Sequence, residues 1–570
     1  MANSKEIGKQ RIGWVFLFLV LLGAVITGRL FFLQAVSGSY YRTLADRQAV
    51  KTNSLQPRRG SIYFQGKNGE LVTAADTKTG YNIYINPREL LALNTDVNAL
   101  YEKLNAIVPI DRAYFDGRMA RTDDPYEEVA LKVDESVAGK VRALDIKGVG
   151  AKSVEWRNYP AGETASHVIG FLGYNGEKLE GRYGIERQFQ DILLGSFDPA
   201  DDGGWFSGFS HVLATPQEGR DIVLTLNIDA QVFLEKTLAN TLKEFSGQSA
   251  AGIVLEPKTG KIIAMAAVPN FDPNNYQQEK NINVFVNPLV EHIYEFGSVF
   301  KTLTMAAALD KGAVTPTTKY FDSGFLVLNG RRISNFDGKG RGEITMQHVL
   351  NESLNTGAVF AMQQLGKENF YNYFVNYGLD TKTNIELPGE VLGSLSNLDT
   401  TRDIEYATAS YGQGVAVTGL EAARAFASLG NGGLLMRPYI VDRIVRPGET
   451  DLATAPKSQG KVLKTETSET ISRMLVTVVD EALLGGTVKD PHYTLAAKTG
   501  TAYIPNAEGK YSDEMVHSIF GYAPGFDPRF LVFLYIERPQ GVKYASQSLG
   551  LPMINVMRFL LNYYNVPPDR

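Results

Sequence analysis

Apolar residues follow three different rhythms along this chain. Near the N-terminus they are almost unbroken: Trp14 to Gly28 holds only apolar or small residues, continued by Leu30 to Val36. That is long enough to cross a hydrocarbon core of about 30 Å. Arg29 is the one interruption, near the outer end, where a long side chain can reach the interface. The pattern predicts an uncleaved anchor; the alternative, a cleaved signal peptide, has a shorter apolar part and a small-x-small cleavage site. From Pro57 to Gly219, short alternating runs such as Gly80–Ile85 are separated by Gly, Pro and Asn, with helical spacing at Asp96–Ile107 and Glu135–Leu144. This predicts a mostly extended, irregular domain. Asp198 to Gly204 reads as a loop near its end.

From Arg220 the third rhythm begins. Asp221–Leu226 reads as a strand, and Asn227 or Asp229 caps a helix carrying Leu234, Leu238, Leu242 and Phe245. Ile253–Leu255 and Ile262–Ala266 flank a hairpin turn at Pro257–Gly260. A helix-rich region runs from Ser298 to about Gly378, and Thr418 with Glu421 makes a capping box before a helix that stops at Gly430. Strands return at Thr494–Ile504, Val516–Ala523 and Arg529–Ile536, and Val556–Tyr564 closes the chain as an amphipathic helix. Strand pairs at both ends with helices between predict an α+β domain, an antiparallel sheet covered by helices. The expected layout is a tail (1–12), an anchor (13–36), a stalk (37–56), a first outer domain (57–219) and a second (220–570).

Charge orients the anchor. Lys5, Lys9 and Arg11 crowd the short tail and hold it in the cytoplasm. Arg42, Arg47 and Lys51 on the far side weaken the count, but a long following domain translocates largely regardless of charge. The rest of the protein is then expected outside. A formal charge of -5 over 570 residues gives no sign of nucleic-acid binding. The absence of cysteine excludes disulfides and thiolate chemistry, and the six histidines include no His-Glu-x-x-His. No Gly-x-Ser-x-Gly elbow or P-loop occurs either, and no cofactor or metal is expected.

The stretch EHIYEFGSVFKTLTMAAAL (Glu291–Leu309) carries the first chemistry. It reads as a turn at Gly297 entering a helix, with Ser298 and Lys301 among its first residues and on one face. Free N–H groups at a helix start stabilise an oxyanion, and a desolvated lysine one turn on is able to take the serine proton. Ser-x-x-Lys recurs at Ser458–Lys461 in a polar Pro/Gly context, which reads as loop. Ser353-Leu-Asn355 follows a short helix that Thr345 caps. It serves either as a helix connection or as a hydroxyl and an amide facing a cleft. Lys-Thr-Gly occurs three times. Lys78–Gly80 and Lys258–Gly260 read as turns, whereas Lys498-Thr499-Gly500-Thr501 lies inside an apolar strand. A mid-strand glycine marks close approach of a ligand or another backbone, and the lysine and two hydroxyls suit a substrate carboxylate. A solvated edge strand with a bulge is the bland alternative.

These three motifs in this order resemble the signature of penicillin-binding proteins and serine β-lactamases. The contexts GSVFK, SLNTG and AKTGTA, with SYGQGVAVT (Ser410–Thr418) and NGG (Asn431–Gly433), are similar to the transpeptidase domain of class B penicillin-binding proteins. RLFFLQ, YYRTLAD, RRGSIY, RNYPAGETASHVIG and YGIER resemble the same class, the last two its pedestal, or dimerisation-type, domain. The resemblance implies that Lys301 deprotonates Ser298, which attacks the penultimate D-Ala carbonyl of a peptidoglycan stem peptide. It implies an oxyanion between the N–H groups of Ser298 and Thr501, and proton return to the departing D-Ala through Ser353 and Lys498. Asn355, Thr499, Gly500 and Thr501 are the implied substrate-binding residues, with β-lactams acylating Ser298 in the same way. It implies two close lysines that keep Lys301 neutral, since each raises the energy of charging the other. It also implies a membrane partner, a polytopic glycosyltransferase of the shape, elongation, division and sporulation family, met through Trp14–Gln34 and Arg58–Gly60. A D,D-carboxypeptidase or β-lactamase shares the motifs but needs a base to activate water, and has no use for the anchor and pedestal. An inactive scaffold or sensor is the reading from another class; the intact motifs argue against it.

Overall fold

The computed structural model describes residues 58–176, 178–195, 219–445, 450–506 and 511–570. The predicted anchor, the stalk and the loop at 198–204 lie outside these residues. Among the described residues no helix is long and apolar enough to cross a membrane.

The second domain is built on a five-stranded antiparallel sheet. Its spatial order is Ala496–Pro505, Tyr511–Ala523, Phe530–Glu537, Ser249–Leu255, Ile262–Val268. Side chains alternate between two apolar layers, as the period of two requires. Val532, Leu534 and Ile536 pack beneath the helices Ile228–Glu244 and Ala545–Tyr563, together with Leu234, Leu238, Met553 and Leu560. Leu531, Phe533 and Tyr535 face the opposite layer, with Phe426 of the helix Gly419–Gly430 and Phe300. Phe426 stacks on Phe520 at 4.1 Å and Phe296 meets Phe533 edge-on at 5.0 Å. Because both faces are covered, these strands read as continuous apolar runs. Asn227 is the cap of the first helix, accepting from the Ala230 N–H, and Thr418 and Glu421 form the predicted capping box.

A seven-stranded sheet crosses from the first domain into the second. Ile222–Asn227 pairs in parallel with Ile62–Gln65 and antiparallel with Val441–Ile444. Beyond it, Leu71–Ile85 pairs with Ile62–Gln65, Glu127–Val133 and Val149–Asn158. The segments singled out in the sequence converge on one carboxylate. Glu186, fully buried, receives Arg59 Nε at 2.8 Å, Arg157 Nε at 2.6 Å and the Tyr159 hydroxyl at 3.3 Å. Burial pushes this carboxyl up, but Arg157 and Arg59 override it and hold it below the usual range.

Five expectations change. Lys78–Gly80 is no turn: it lies within a fifteen-residue strand and pairs with Trp156, Glu155 and Val154, a ladder that overrides local turn chemistry. Ser458–Lys461 is a short exposed strand paired with Leu434–Met436 instead of a loop. The pedestal carries a helix the spacing did not predict, Arg112–Met119, capped by Asp111; with the predicted helix, found at Val97–Asn105, it closes a separate apolar cluster around Phe115. The helix-rich region is interrupted by four short strands between Lys319 and Thr345. The last helix begins at Ala545, well before Val556, and accommodates Pro552.

Arg59 is turned inward, its guanidinium buried against Glu186. Replacing Glu186 by Ala leaves two guanidiniums buried without their anion, and is expected to destabilise the protein by about 3–5 kcal/mol. Thermal unfolding of the variant checks this. Since Glu186 is held below its unfolded value, its contribution is present at neutral pH and lost as pH falls through the folded value.

Candidate active site

Gly297 has a left-handed φ of 65° and turns the chain into a short 3-10 segment, Gly297–Phe300, followed by the α-helix Lys301–Asp310. Ser298 therefore sits in the tight turn before the α-helix and not within it, half-buried and facing the cavity. Lys301 opens the α-helix with its side chain buried.

The strand Ala496–Pro505 crosses this turn at very short range. A Cβ on Gly500 would lie 2.2 Å from the Phe296 carbonyl oxygen, and one on Gly297 would lie 2.5 Å from that of Thr501. The mid-strand glycine thus marks another backbone, the nucleophile's own turn, and Gly500 is not among the residues lining the cavity. Gly500 therefore packs against that turn. Ala497, Lys498, Thr499 and Thr501 do line it.

The third segment is the loop after the helix Met346–Asn351. Its end has the geometry of a Schellman cap, with the Leu354 N–H donating to the Val349 carbonyl at 3.0 Å. Ser353 holds the left-handed position, φ 57°, where glycine is the usual occupant. Its hydroxyl is thereby fixed between two amines. Lys498 Nζ donates to Ser353 Oγ at 2.9 Å and to the Thr499 carbonyl at 3.0 Å. Lys301 Nζ donates to the Ser353 carbonyl at 2.5 Å, with Oγ 3.3 Å away.

Neither lysine has a carboxylate partner among the described residues, and they are only 1% and 2% exposed. Burial, and secondarily the charge of Lys498, holds Lys301 well below its usual value, while burial brings Lys498 down to about 7. The structure thus supplies an amine held well below its usual basicity beside the serine turn, a hydroxyl bridging it to a second amine, and a hollow of about 690 Å³ above them.

The chain matches the family model of the penicillin-binding protein transpeptidase domain over residues 250–555, and that of the penicillin-binding protein dimerisation domain over residues 54–224. It is 30% identical to stage V sporulation protein D of Bacillus subtilis, over 100% of this chain and 88% of that one. The chain belongs to the class B penicillin-binding proteins. It is also 28% identical to a peptidoglycan D,D-transpeptidase FtsI homolog of Mesostigma viride, over 100% and 98% of the two chains. Among solved structures it shares its fold with penicillin-binding protein 2X of Streptococcus thermophilus, with a TM-score of 0.73, 21% identity and coverage of 90% and 81%. Penicillin-binding protein 3 of Mycobacterium tuberculosis, in complex with aztreonam, gives a TM-score of 0.69, 22% identity and coverage of 90% and 98%.

In this penicillin-binding protein three site residues differ in their contacts from the sequence reading. Lys301 is engaged with Ser353 and not with the Ser298 hydroxyl, which makes no hydrogen bond among the described residues. Asn355 spends its amide N–H on the Ser334 carbonyl at 2.8 Å, tying down the hairpin Phe325–Ser334 at the cavity wall. Thr501 Oγ1 accepts the Ala545 N–H at 3.2 Å and so joins the cavity to the start of the last helix. Asn431 of NGG lies elsewhere, bonded to the Pro257 and Leu434 carbonyls as a turn. The sequence reading missed the aromatic lining: Phe336, Tyr411, Tyr503, Tyr511 and Tyr544. Only Tyr411 carried a signal, through its place in SYGQGVAVT; its ring centre lies 6.0 Å from Lys301 Nζ.

Replacing Ser353 by Gly relieves a left-handed conformation worth about 1 kcal/mol. The melting temperature should rise while acylation by penicillin slows about 10²–10⁴-fold, as expected when a proton-transfer group is lost. An ordinary lysine base would make the acylation rate climb until pH ~10; here the ascending limb is expected to lie well below that. Lys498→Gln removes the charge that helps depress Lys301, so the limb should move to higher pH as the maximal rate falls; stopped-flow acylation across pH reads both.

Proposed function

We propose that this protein is a peptidoglycan D,D-transpeptidase in which Ser298 is the nucleophile, Lys301 its base, and Ser353 and Lys498 the proton relay. The observation that carries this is the placement of Ser353 Oγ between two buried lysines beside the cavity that Ser298 enters. Ser298 Oγ attacks the penultimate D-Ala carbonyl carbon and its proton passes to Lys301. The amide C–N bond breaks, and the departing nitrogen takes a proton delivered through Ser353. The close crossing of the turn and strand supports an oxyanion site between the Ser298 and Thr501 N–H groups. Thr499 and Thr501, with the start of the Ala545–Tyr563 helix, suit the terminal carboxylate. An amine from a second stem peptide then resolves the acyl-enzyme into a cross-link.

The apolar run at 13–36 and the basic tail support a single-pass anchor with a cytoplasmic N-terminus and an extracytoplasmic catalytic domain. A polytopic glycosyltransferase of the shape, elongation, division and sporulation family would supply glycan through the anchor and pedestal. Relatives named as a sporulation protein and as a peptidoglycan D,D-transpeptidase support a role in cell-wall synthesis. Ser298→Ala should abolish covalent labelling by fluorescent penicillin, and mass spectrometry of labelled wild type should place the adduct on Ser298. Labelling that survives in the variant defeats the assignment. In cells depleted of wild type and carrying this variant, filaments indicate septation and spheres indicate side-wall growth.

A further inference from the structure

The residue opposite Thr501 in the strand ladder is a histidine that the mechanism above does not use. Thr501 pairs directly with His517, so the two side chains leave the same face of the sheet. Both meet the start of the helix Ala545–Tyr563 there. His517 is fully buried, and its Nδ1 hydrogen-bonds with Ser548 Oγ at 2.8 Å. Nε2 makes no hydrogen bond among the described residues, although the Lys543 carbonyl lies close enough to favour the protonated ring. Burial outweighs that carbonyl and brings the imidazole down to about 4, so the ring is neutral at physiological pH. Ser548 Oγ donates in turn to the Ala545 carbonyl at 3.4 Å, which completes a polar brace under the first helical turn. In a strand buried on both faces an apolar side chain would fill this position without the desolvation cost of an imidazole.

What the brace fixes is the Ala545 N–H, which donates to Thr501 Oγ1 at 3.2 Å. A hydroxyl carries one proton and two lone pairs. With a lone pair committed to Ala545, the Thr501 proton is free to donate into the cavity, whose wall at this end is Thr499, Thr501, Lys543, Tyr544, Ala545 and Ser546. We propose that His517 is a positioning residue for the substrate's terminal carboxylate: through Ser548 and Ala545 it keeps the Thr501 hydroxyl aimed at that anion. This rests on the transpeptidase reading and names what holds its carboxylate subsite in register. His517 touches no reacting atom.

The test compares benzylpenicillin with its methyl ester as acylating agents of the full-length protein, by stopped flow. Both offer the same lactam carbonyl to Ser298, and only the first carries the anion. Wild type should prefer the free acid. Ser548→Ala and His517→Leu should each cut the ratio of the two acylation rate constants about tenfold, as weakening of a charged hydrogen bond implies. His517→Asn, whose amide nitrogen can take the place of Nδ1, should recover part of that ratio. Equal loss with both agents makes His517 merely structural and overturns the proposal. So does an unchanged ratio, an Asn variant as poor as Leu, or a wild type indifferent to the carboxylate. If His517→Leu fails to fold, Ser548→Ala decides. Fluorescent penicillin separates the two readings: failure to label wild type removes the transpeptidase assignment itself, whereas normal labelling with an unchanged ratio in the variants defeats only the positioning role.

Discussion

The site depends on two backbones meeting with no side chain between them. The turn at Phe296–Val299 and the strand at Gly500–Thr501 approach so closely that a methyl group on Gly297 or Gly500 would collide with a carbonyl of the other segment. Such an approach persists only if both partners are held rigidly from behind. The strand is held by its full ladder to Tyr511–Ala523, in a sheet buried on both faces. The turn is held by the Phe296 ring, wedged against Phe533 and Tyr535, and by the Ser518 hydroxyl donating to the Phe296 carbonyl at 2.7 Å. The apolar packing of the sheet thus sets the distance between Ser298, borne by the turn, and Lys498, borne by the strand.

What that rigidity supports is electrostatically unfavourable. Two lysines lie together with no ion-pair partner among the described residues, and Ser353 occupies a left-handed backbone conformation. The pedestal solves the opposite problem: there Arg59 and Arg157 are also buried, but Glu186 sits between them. The contrast separates structural charge from chemical charge. A carboxylate between Lys301 and Lys498 would stabilise both as cations and so remove the base. Leaving the pair uncompensated is what lowers the basicity of Lys301 and so favours its neutral, proton-accepting form, with the instability absorbed by the surrounding core.

How much of this could be read from the chain follows from the range of the interactions. Ser298, Lys301, Ser353, Lys498 and the threonines were legible because short motifs preserve their spacing, and the capping residues Asn227, Thr345 and Thr418 because capping is local. The central strands were legible because burial on both faces leaves unbroken apolar runs. What was not legible is what arises between distant segments. The partner of Lys301 is 52 residues away and that of the Asn355 amide is 21 away. The four short strands before Thr345 are too brief for a period to show, and pair only with one another. Tyr503 and Tyr511 carry no pattern that separates a cavity wall from an ordinary exposed strand end.

The seven-stranded sheet gives the pedestal a mechanical consequence for the site. Ile222–Asn227 is both the parallel neighbour of Ile62–Gln65 and the strand that leads into the helix Ile228–Glu244, which underlies the catalytic sheet. Its six residues are all buried, and the Ser61 N–H donates to Asp221 Oδ1 at 2.6 Å just before the ladder starts. A force applied through the pedestal would therefore act on a hydrogen-bonded ladder and a packed helix, with no exposed linker at this strand to absorb it. Thr225 Oγ1 extends the connection by donating to the Ile440 carbonyl at 3.2 Å on the far side of the same strand. Pedestal strands and catalytic sheet are thus bound through one short buried strand and the helix it feeds. The Glu186 ion cluster, which fixes the Arg59 segment immediately ahead of Ile62–Gln65, sets where that strand begins.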